Sequence, residues 1–399
     1  MNGPALRIAL VTGGLPFGGS TTFLQHLATG LLNAGVPCEI YSFTQANPLA
    51  AEFASAGITV HTCDENRLIF EVRLVQTFAA LARFNPTVVL ANIGREAYEI
   101  LRYLPHGVMR VGMIHDRTMQ PEQLIPAYRD VLDQVVVVAA HLVGDVCAAA
   151  PEVSCAYLAH GIPLTTKVAP REPNLAESLK LIYFGRLTER KGARLFPAIT
   201  DALHRRQVPF QWTIHGQGED ETYLRRRLAA ETARGEVVFS TPVPRDQLLQ
   251  LVRRHDIYML ASDVEGGPLT LLEAMALGLV PVCGDIPCLV QEVIRSENGF
   301  RVPRNEPDAF AEAISRLHQN RLLLERLSAA ARETITEHFT VEAMACRYIN
   351  LMKQHACPSG IVNWPERIQP RPFRNSKNQP LFWPVLKPFR RLAKRFMRL

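Results

Sequence analysis

The sequence predicts an α/β chain built from two doubly wound parallel-sheet halves, and three observations carry that prediction. Strand-length apolar runs alternate with helical spacing through most of the chain, the pattern of repeated β-α-β units. The alternation lapses at a polar, proline-bearing segment, 165–173 (TTKVAPREP), and then starts afresh. The length, 399 residues, exceeds what one hydrophobic core usually organises, so two domains are expected.

In the first half, 6–12 (LRIALVT) is a buried-type strand. A Gly/Pro loop follows at 13–19, and Phe23, Leu24, Leu27, Leu31 and Leu32 fall at helical spacing through 21–35. Strands at 38–43, 58–61, 87–91, 108–114 and 135–139 alternate with helices near 66–84, 95–103, 121–130 and 141–149. Past the linker come strand 180–184, a helix ending near 206, strand 210–215, helix 219–233, strand 237–240, helix 245–254 and strand 257–260. Next are a helix opening at Pro268, a strand at 280–283, and helices over 307–338 and 341–355. No repeat of solenoid period is present.

Composition narrows the class. Hydrophobic content of 47% with 21% charged residues is that of a globular protein, and no apolar run approaches the ~20 residues of a membrane span. The opening ALRIALVTGG has no basic lead-in and reads as a first strand, not a signal peptide. Eight cysteines without a C-x-x-C pair and twelve scattered histidines point to a reduced, cytoplasmic setting without a zinc site. The net charge of +6 is concentrated in a tail: 367–399 carries ten Lys or Arg and no acid, so 1–366 sums to 6 − 10 = −4. That tail is proline-rich. It ends in a basic amphipathic pattern, with Lys387, Arg390, Arg391, Lys394 and Arg395 opposite Phe389, Leu392 and Phe396, the signature of a helix lying on an anionic membrane. Aromatic stacking platforms are not interleaved with basic residues in the body, so no nucleic-acid partner is expected.

The chemistry centres on 261–278 (ASDVEGGPLTLLEAMALG). Proline suits the first position of a helix, and the helix it opens is apolar almost all round except for Glu273. A carboxylate there is costly unless a partner hydrogen-bonds it. Glu265 stands in the loop leading to the positive end of the same helix, where free amides near Gly267 to Leu269 suit an anion. Without a ligand, Glu265 would cap the helix and Glu273 would lie in a solvent stripe. Arg186 and Lys191 lie in GRLTERKG after strand 180–184, where paired cations neutralise phosphate oxygens. His115 ends a strand as IHD, Gly216 follows another, and the loop GGLPFGGST lacks both the P-loop lysine and the G-x-G-x-x-G spacing.

EGGPLTLLEAMALG resembles the E-x7-E motif of retaining glycosyltransferases of family 4 with the GT-B fold, and FGRLTERKG, IHGQGE, HDIYMLAS, PVCGDIP and ENGF extend the resemblance. It covers roughly 6–350, strongly in the second half and loosely in the first. The resemblance implies two Rossmann-like domains facing a central cleft: an acceptor-side domain, 1–165, a nucleotide-sugar domain, 166–340, a last helix, 341–356, crossing back, and the tail, 357–399. It implies that Glu265 holds donor-sugar hydroxyls and Glu273 the ribose. Arg186 and Lys191 would bind the diphosphate of a UDP- or GDP-linked sugar, His115 would sit beside the anomeric centre, and Gly18 and Gly19 would close over the phosphates. Gly216, Gly266, Gly267, Pro268 and Leu269 would complete the donor cradle. Transfer would proceed with retention by front-side attack, without metal or other cofactor, to a glycan or lipid-linked acceptor. Two positions depart from the family pattern: His160-Gly161-Ile162-Pro163 replaces N-G-V/I-D, and Gly267 replaces a bulky residue, which implies a roomier sugar pocket. An epimerase or inverting transferase of the same fold, or a non-catalytic scaffold binding nucleotide sugar or membrane, remains open at this stage.

Overall fold

A computed structural model describes residues 6–16, 18–45, 50–66, 68–164, 171, 177–241, 243–355 and 362–371. The expected membrane helix at 387–398 and most of the expected linker lie outside these residues. The described chain divides into two compact units, one comprising Met1–Val137, Leu142–Leu158 and Ala345–Leu399, the other Val138–His141 and Ala159–Met344.

The first unit is a seven-stranded sheet in the order β3-β2-β1-β4-β5-β6-β7, with every pair parallel. Its strands are β1 (Ile8–Thr12), β2 (Cys38–Ser42), β3 (Thr59–Thr62), β4 (Val88–Ala91), β5 (Met109–Ile114), β6 (Gln134–Val137) and β7 (Cys155–Tyr157). Strands β1 and β4 are buried along their whole length, as an all-parallel sheet covered on both faces requires. The sequence reading lacks β7, a three-residue edge strand, and the short helix Ala50–Ser55. Neither is long enough to display a period. The helix Val341–His355 contributes Tyr348 to this unit's core, its hydroxyl 3.4 Å from Met113 Sδ.

The second unit repeats the plan with six parallel strands in the order β10-β9-β8-β11-β12-β13. These are β8 (Leu179–Phe184), β9 (Phe210–His215), β10 (Val237–Ser240), β11 (Ile257–Leu260), β12 (Val280–Gly284) and β13 (Phe300–Val302). Tyr183, Phe196, Trp212, Leu224 and Phe310 fill its core. Two long helical spans expected as single helices are divided. The first becomes Glu221–Arg227 and Ala229–Ala233, and the second breaks at Asn320, whose side chain accepts from Leu323 N and caps the helix Arg321–His338.

Arg171, the one described residue of the expected linker, is buried. Its guanidinium is 3.1 Å from Asp256 and 2.9 Å from Glu325, and its amide donates to Leu277 O. Burying an arginine is tolerable only with such partners, so at this position the segment is anchored in the second unit rather than solvated.

Candidate active site

Both sheets carry the doubly wound order, with the reversal of winding between β1 and β4 in the first and between β8 and β11 in the second. Ligands of open α/β sheets bind beyond the strand C-termini at such a reversal. In the second unit the two loops that leave this point are the two singled out by sequence: 185–192 after β8 and 261–268 after β11.

These loops are fastened to each other. Asp263 N donates to Arg190 O at 3.0 Å. Gly192 has φ 70, and a Cβ there would collide with Ala261 O, so only glycine allows the approach. The result places Lys191 Nζ 2.6 Å from Glu265 Oε1, and Ser262 Oγ donates to the same oxygen at 2.8 Å. Glu265 is 8% exposed. No side chain caps the helix Leu269–Ala276, whose N-cap residue is Pro268, so the reading of Glu265 as a simple helix cap is excluded and the helix amides stay open to a ligand. Leu289 N ties Gly266 O from the far side at 3.0 Å.

Glu273 is 5% exposed, which excludes the solvent stripe. Its Oε1 accepts from Arg245 Nη2 at 2.8 Å. Arg245 opens the helix Arg245–Val252 that follows β10, and sequence reasoning did not find it, because the pairing spans 28 residues and three elements. Ser262 escaped notice for a different reason: a serine in a loop carries no signal by itself. Arg186 is exposed, and its guanidinium has no ion pair among the described residues.

Gly267 faces His160. A Cβ on Gly267 would fall 3.0 Å from His160 Nε2 and closer still to Cδ2. His160 is buried, and its loop is fixed by Ile162 N to Phe339 O and by Val341 N to Ile162 O. The space beside Gly267 is therefore occupied by the imidazole, so the expectation of a roomier sugar pocket at Gly267 is corrected. The two departures from the family pattern are the two sides of one contact. Gly216, with φ 147, packs against Gly185 O and is a packing residue between the ends of β8 and β9.

The corresponding edge of the first unit holds Glu96 and Asp116 but centres on a histidine–asparagine pair. Gly13 N donates to Ile93 O at 2.6 Å, joining the loops after β1 and β4. His115 Nε2 lies 2.5 Å from Asn92 Oδ1, and its ring packs edge-on to Phe23 at 5.1 Å. Burial lowers the His115 pKa to about 4, with Asp116 opposing the shift. The imidazole is thus neutral at pH 7, with Nε2 as the donor to Asn92. Gly18 starts the helix Gly19–Asn33, and neither Gly18 nor Gly19 has a neighbour within 4 Å of a built Cβ. The resemblance did not point to Asn92.

Among the described residues one group offers metal-type ligands close together, Asp201, His204 and Glu231. His204 already pairs with Glu236 at 3.0 Å and Glu231 with Arg234 at 3.2 Å.

The fold is GT-B: two Rossmann-like parallel-sheet units, shared with sucrose-phosphate synthase from Thermosynechococcus elongatus (TM-score 0.69, 19% identity, 88% of this chain and 99% of that one). Anabaena Alr3699/HepE, solved in complex with UDP and glucose, is also similar (TM-score 0.71, 16% identity, 88% of this chain and 100% of that one). Within that fold, residues 167–334 match the family model Glycosyl transferases group 1. The amylovoran biosynthesis glycosyltransferase AmsK of Erwinia amylovora is 27% identical over 171 residues, 41% of this chain and 42% of that protein. The GDP-mannose:cellobiosyl-diphosphopolyprenol alpha-mannosyltransferase of Xanthomonas oryzae pv. oryzae is 30% identical over 139 residues, 34% of this chain and 37% of that protein. The chain spans about two fifths of the length of the curated relatives it matches.

Proposed function

We propose that this chain is a retaining glycosyltransferase of family 4 that moves a sugar from a nucleotide diphosphate sugar to a glycan or lipid-linked acceptor in envelope polysaccharide synthesis. One observation carries the reading: two nearly buried carboxylates, each held by a cation, flank an uncapped helix start at the winding reversal of the second sheet. The match of 167–334 to group 1 glycosyltransferases and the polysaccharide-related relatives support it.

In this reading the donor diphosphate lies at the start of the helix Leu269–Ala276. Arg186, which has no competing carboxylate, and Lys191, aimed by Glu265, hold its oxygens. Glu265 also accepts from donor-sugar hydroxyls, and Glu273, steadied by Arg245, accepts from the ribose. As the anomeric C–O bond breaks, negative charge grows on the leaving phosphate and the two cations stabilise it. The acceptor oxygen attacks from the same face while its proton passes to a leaving phosphate oxygen, so configuration is retained. The cations serve the role a metal has elsewhere, and no cofactor enters. His115, Gly18 and Gly19, on the other unit, keep the roles the resemblance gives them.

The basic tail ending in Lys387, Phe389, Arg390, Arg391, Lys394, Arg395 and Phe396 lies outside the described residues. It belongs to the proposal as the contact with the cytoplasmic face of an anionic membrane. Removing the chain after Pro358 should abolish co-sedimentation with anionic vesicles and leave transfer to a soluble acceptor intact.

Proton NMR of the product tests the chemistry. Retained anomeric configuration is expected. Inversion, or an epimerised nucleotide sugar with no transfer, would overturn the reading. No donor hydrolysis or transfer across UDP-, GDP- and ADP-sugars would leave a binding scaffold.

A further inference from the structure

Four arginines of the second unit converge on one cavity that contains none of the residues assigned above. The cavity measures about 360 Å³. Asp285 at the end of β12, Arg295, Phe300 and Arg301 of β13, Arg316 of the helix Pro307–Gln319 and Arg326 of the helix Arg321–His338 line it. With four cations and one acid, its formal charge is 4 − 1 = +3.

Several other arginines of the unit meet carboxylates: Arg194 meets Asp220, Arg205 and Arg206 meet Asp308, Arg234 meets Glu231 and Glu236, and Arg245 meets Glu273. In the cavity Arg301 is 3.6 Å from Asp285, and Arg316 rests over the Phe300 ring at 5.1 Å. Arg295 and Arg326 have no carboxylate partner among the described residues.

The frame that presents these side chains is pinned. Asn298 is buried; its Oδ1 accepts from Arg295 N at 2.8 Å, and its Nδ2 donates to Val293 O at 2.9 Å and Thr334 Oγ1 at 3.1 Å. Asp285 N donates to Val302 O at 2.7 Å. Like charges gathered in a recess repel unless an anion joins them, and guanidinium forks match phosphate oxygens. The volume lies in the range of small-ligand sites, about 300–1,000 Å³.

We propose that this cavity binds a small, soluble, phosphorylated anion at a site separate from Arg186, Lys191, Glu265 and Glu273. The test uses the full chain, with inorganic pyrophosphate as the calorimetric probe. To remove binding at the donor residues, the titration is repeated in the double variant Arg186→Ala/Lys191→Ala. Saturable binding should persist there and weaken about tenfold or more when Arg316→Ala and Arg326→Ala are added. Lysines at 316 and 326 should restore it only in part, because they replace forks with point charges. Arg316 and Arg326 are exposed, so substituting them disturbs folding little. Three results would each overturn the proposal: no saturable binding in the donor-site variant, binding indifferent to the arginine substitutions, or affinity for phosphatidylglycerol vesicles with none for pyrophosphate.

Discussion

The C-terminal edges of the two sheets share a strand order and differ in chemistry. At the second, Lys191, Glu265, Arg245 and Glu273 form two ion pairs beside Arg186, which has no ion pair among the described residues. At the first, Asn92 meets an imidazole whose pKa burial holds near 4, and glycine fills the approach between loops. One plan thus serves two purposes. Cations are gathered at the second edge, and the first offers a neutral His115–Asn92 pair near the carboxylates of Glu96 and Asp116. The difference can be broken or sharpened by experiment.

The largest effect should come from Glu265→Gln. It frees Lys191 from its carboxylate and removes an acceptor for the sugar. A fall in kcat of about 10² to 10³ with little change in donor affinity is expected from single-turnover kinetics, the scale of losing one preorganised electrostatic contact. Next, Arg245→Ala leaves Glu273 buried and unpaired. Breaking a fully buried pair costs about 3–5 kcal/mol, and the 33% exposure of the arginine side chain reduces this, so a loss of about 1–3 kcal/mol should be measured by denaturant titration. Glu273→Gln in that background should recover part of it. In the wild-type background, Glu273→Ala should raise the donor KM more than it lowers kcat.

The contact beneath the donor loop is third. Gly267→Val should destabilise by about 1–3 kcal/mol through overpacking against His160. His160→Ala should relieve that cost, giving a coupling of about 1 kcal/mol or more in a double-mutant cycle. Additive effects would mean the two residues are independent.

A pH slope comes last, because it is absent at neutral pH and builds only on acidification. His115 and His255 both have folded pKa values lowered by burial to about 4, with His255 donating through Nδ1 to Leu251 O and accepting from Thr213 through Nε2. Above pH 6.5 both states are neutral and no penalty exists. Between 6.5 and 4 the unfolded chain takes up protons that the folded chain refuses, so stability falls with pH, by up to about 3 kcal/mol per group. His115→Gln should remove the first unit's share of that slope and leave the second's.

Much of this was legible along the chain, for physical reasons. Alternating apolar runs mark strands and helices locally, and Glu273 on an apolar helix announces a missing partner. What was illegible depends on contacts distant in sequence. Arg245 for Glu273 and His160 for Gly267 are brought together by folding alone, and no spacing rule connects them. Arg171 read as linker because its neighbours are proline-rich, yet its charge is buried against Asp256 and Glu325. β7 and β13 have three residues each, too few to show alternation, and both lie at sheet edges.

The central claim is that the second sheet's edge is built for a nucleotide diphosphate sugar, and ligand-induced stabilisation tests it directly. The unfolding temperature is measured with UDP-, GDP- and ADP-sugars, on wild type and on Arg186→Ala/Lys191→Ala. One donor should stabilise the wild type, by about 2.7 kcal/mol at a hundredfold excess over Kd, and the variant should show no such rise over its own unliganded unfolding temperature. Stabilisation that survives in the variant, or none from any nucleotide sugar, would contradict the account.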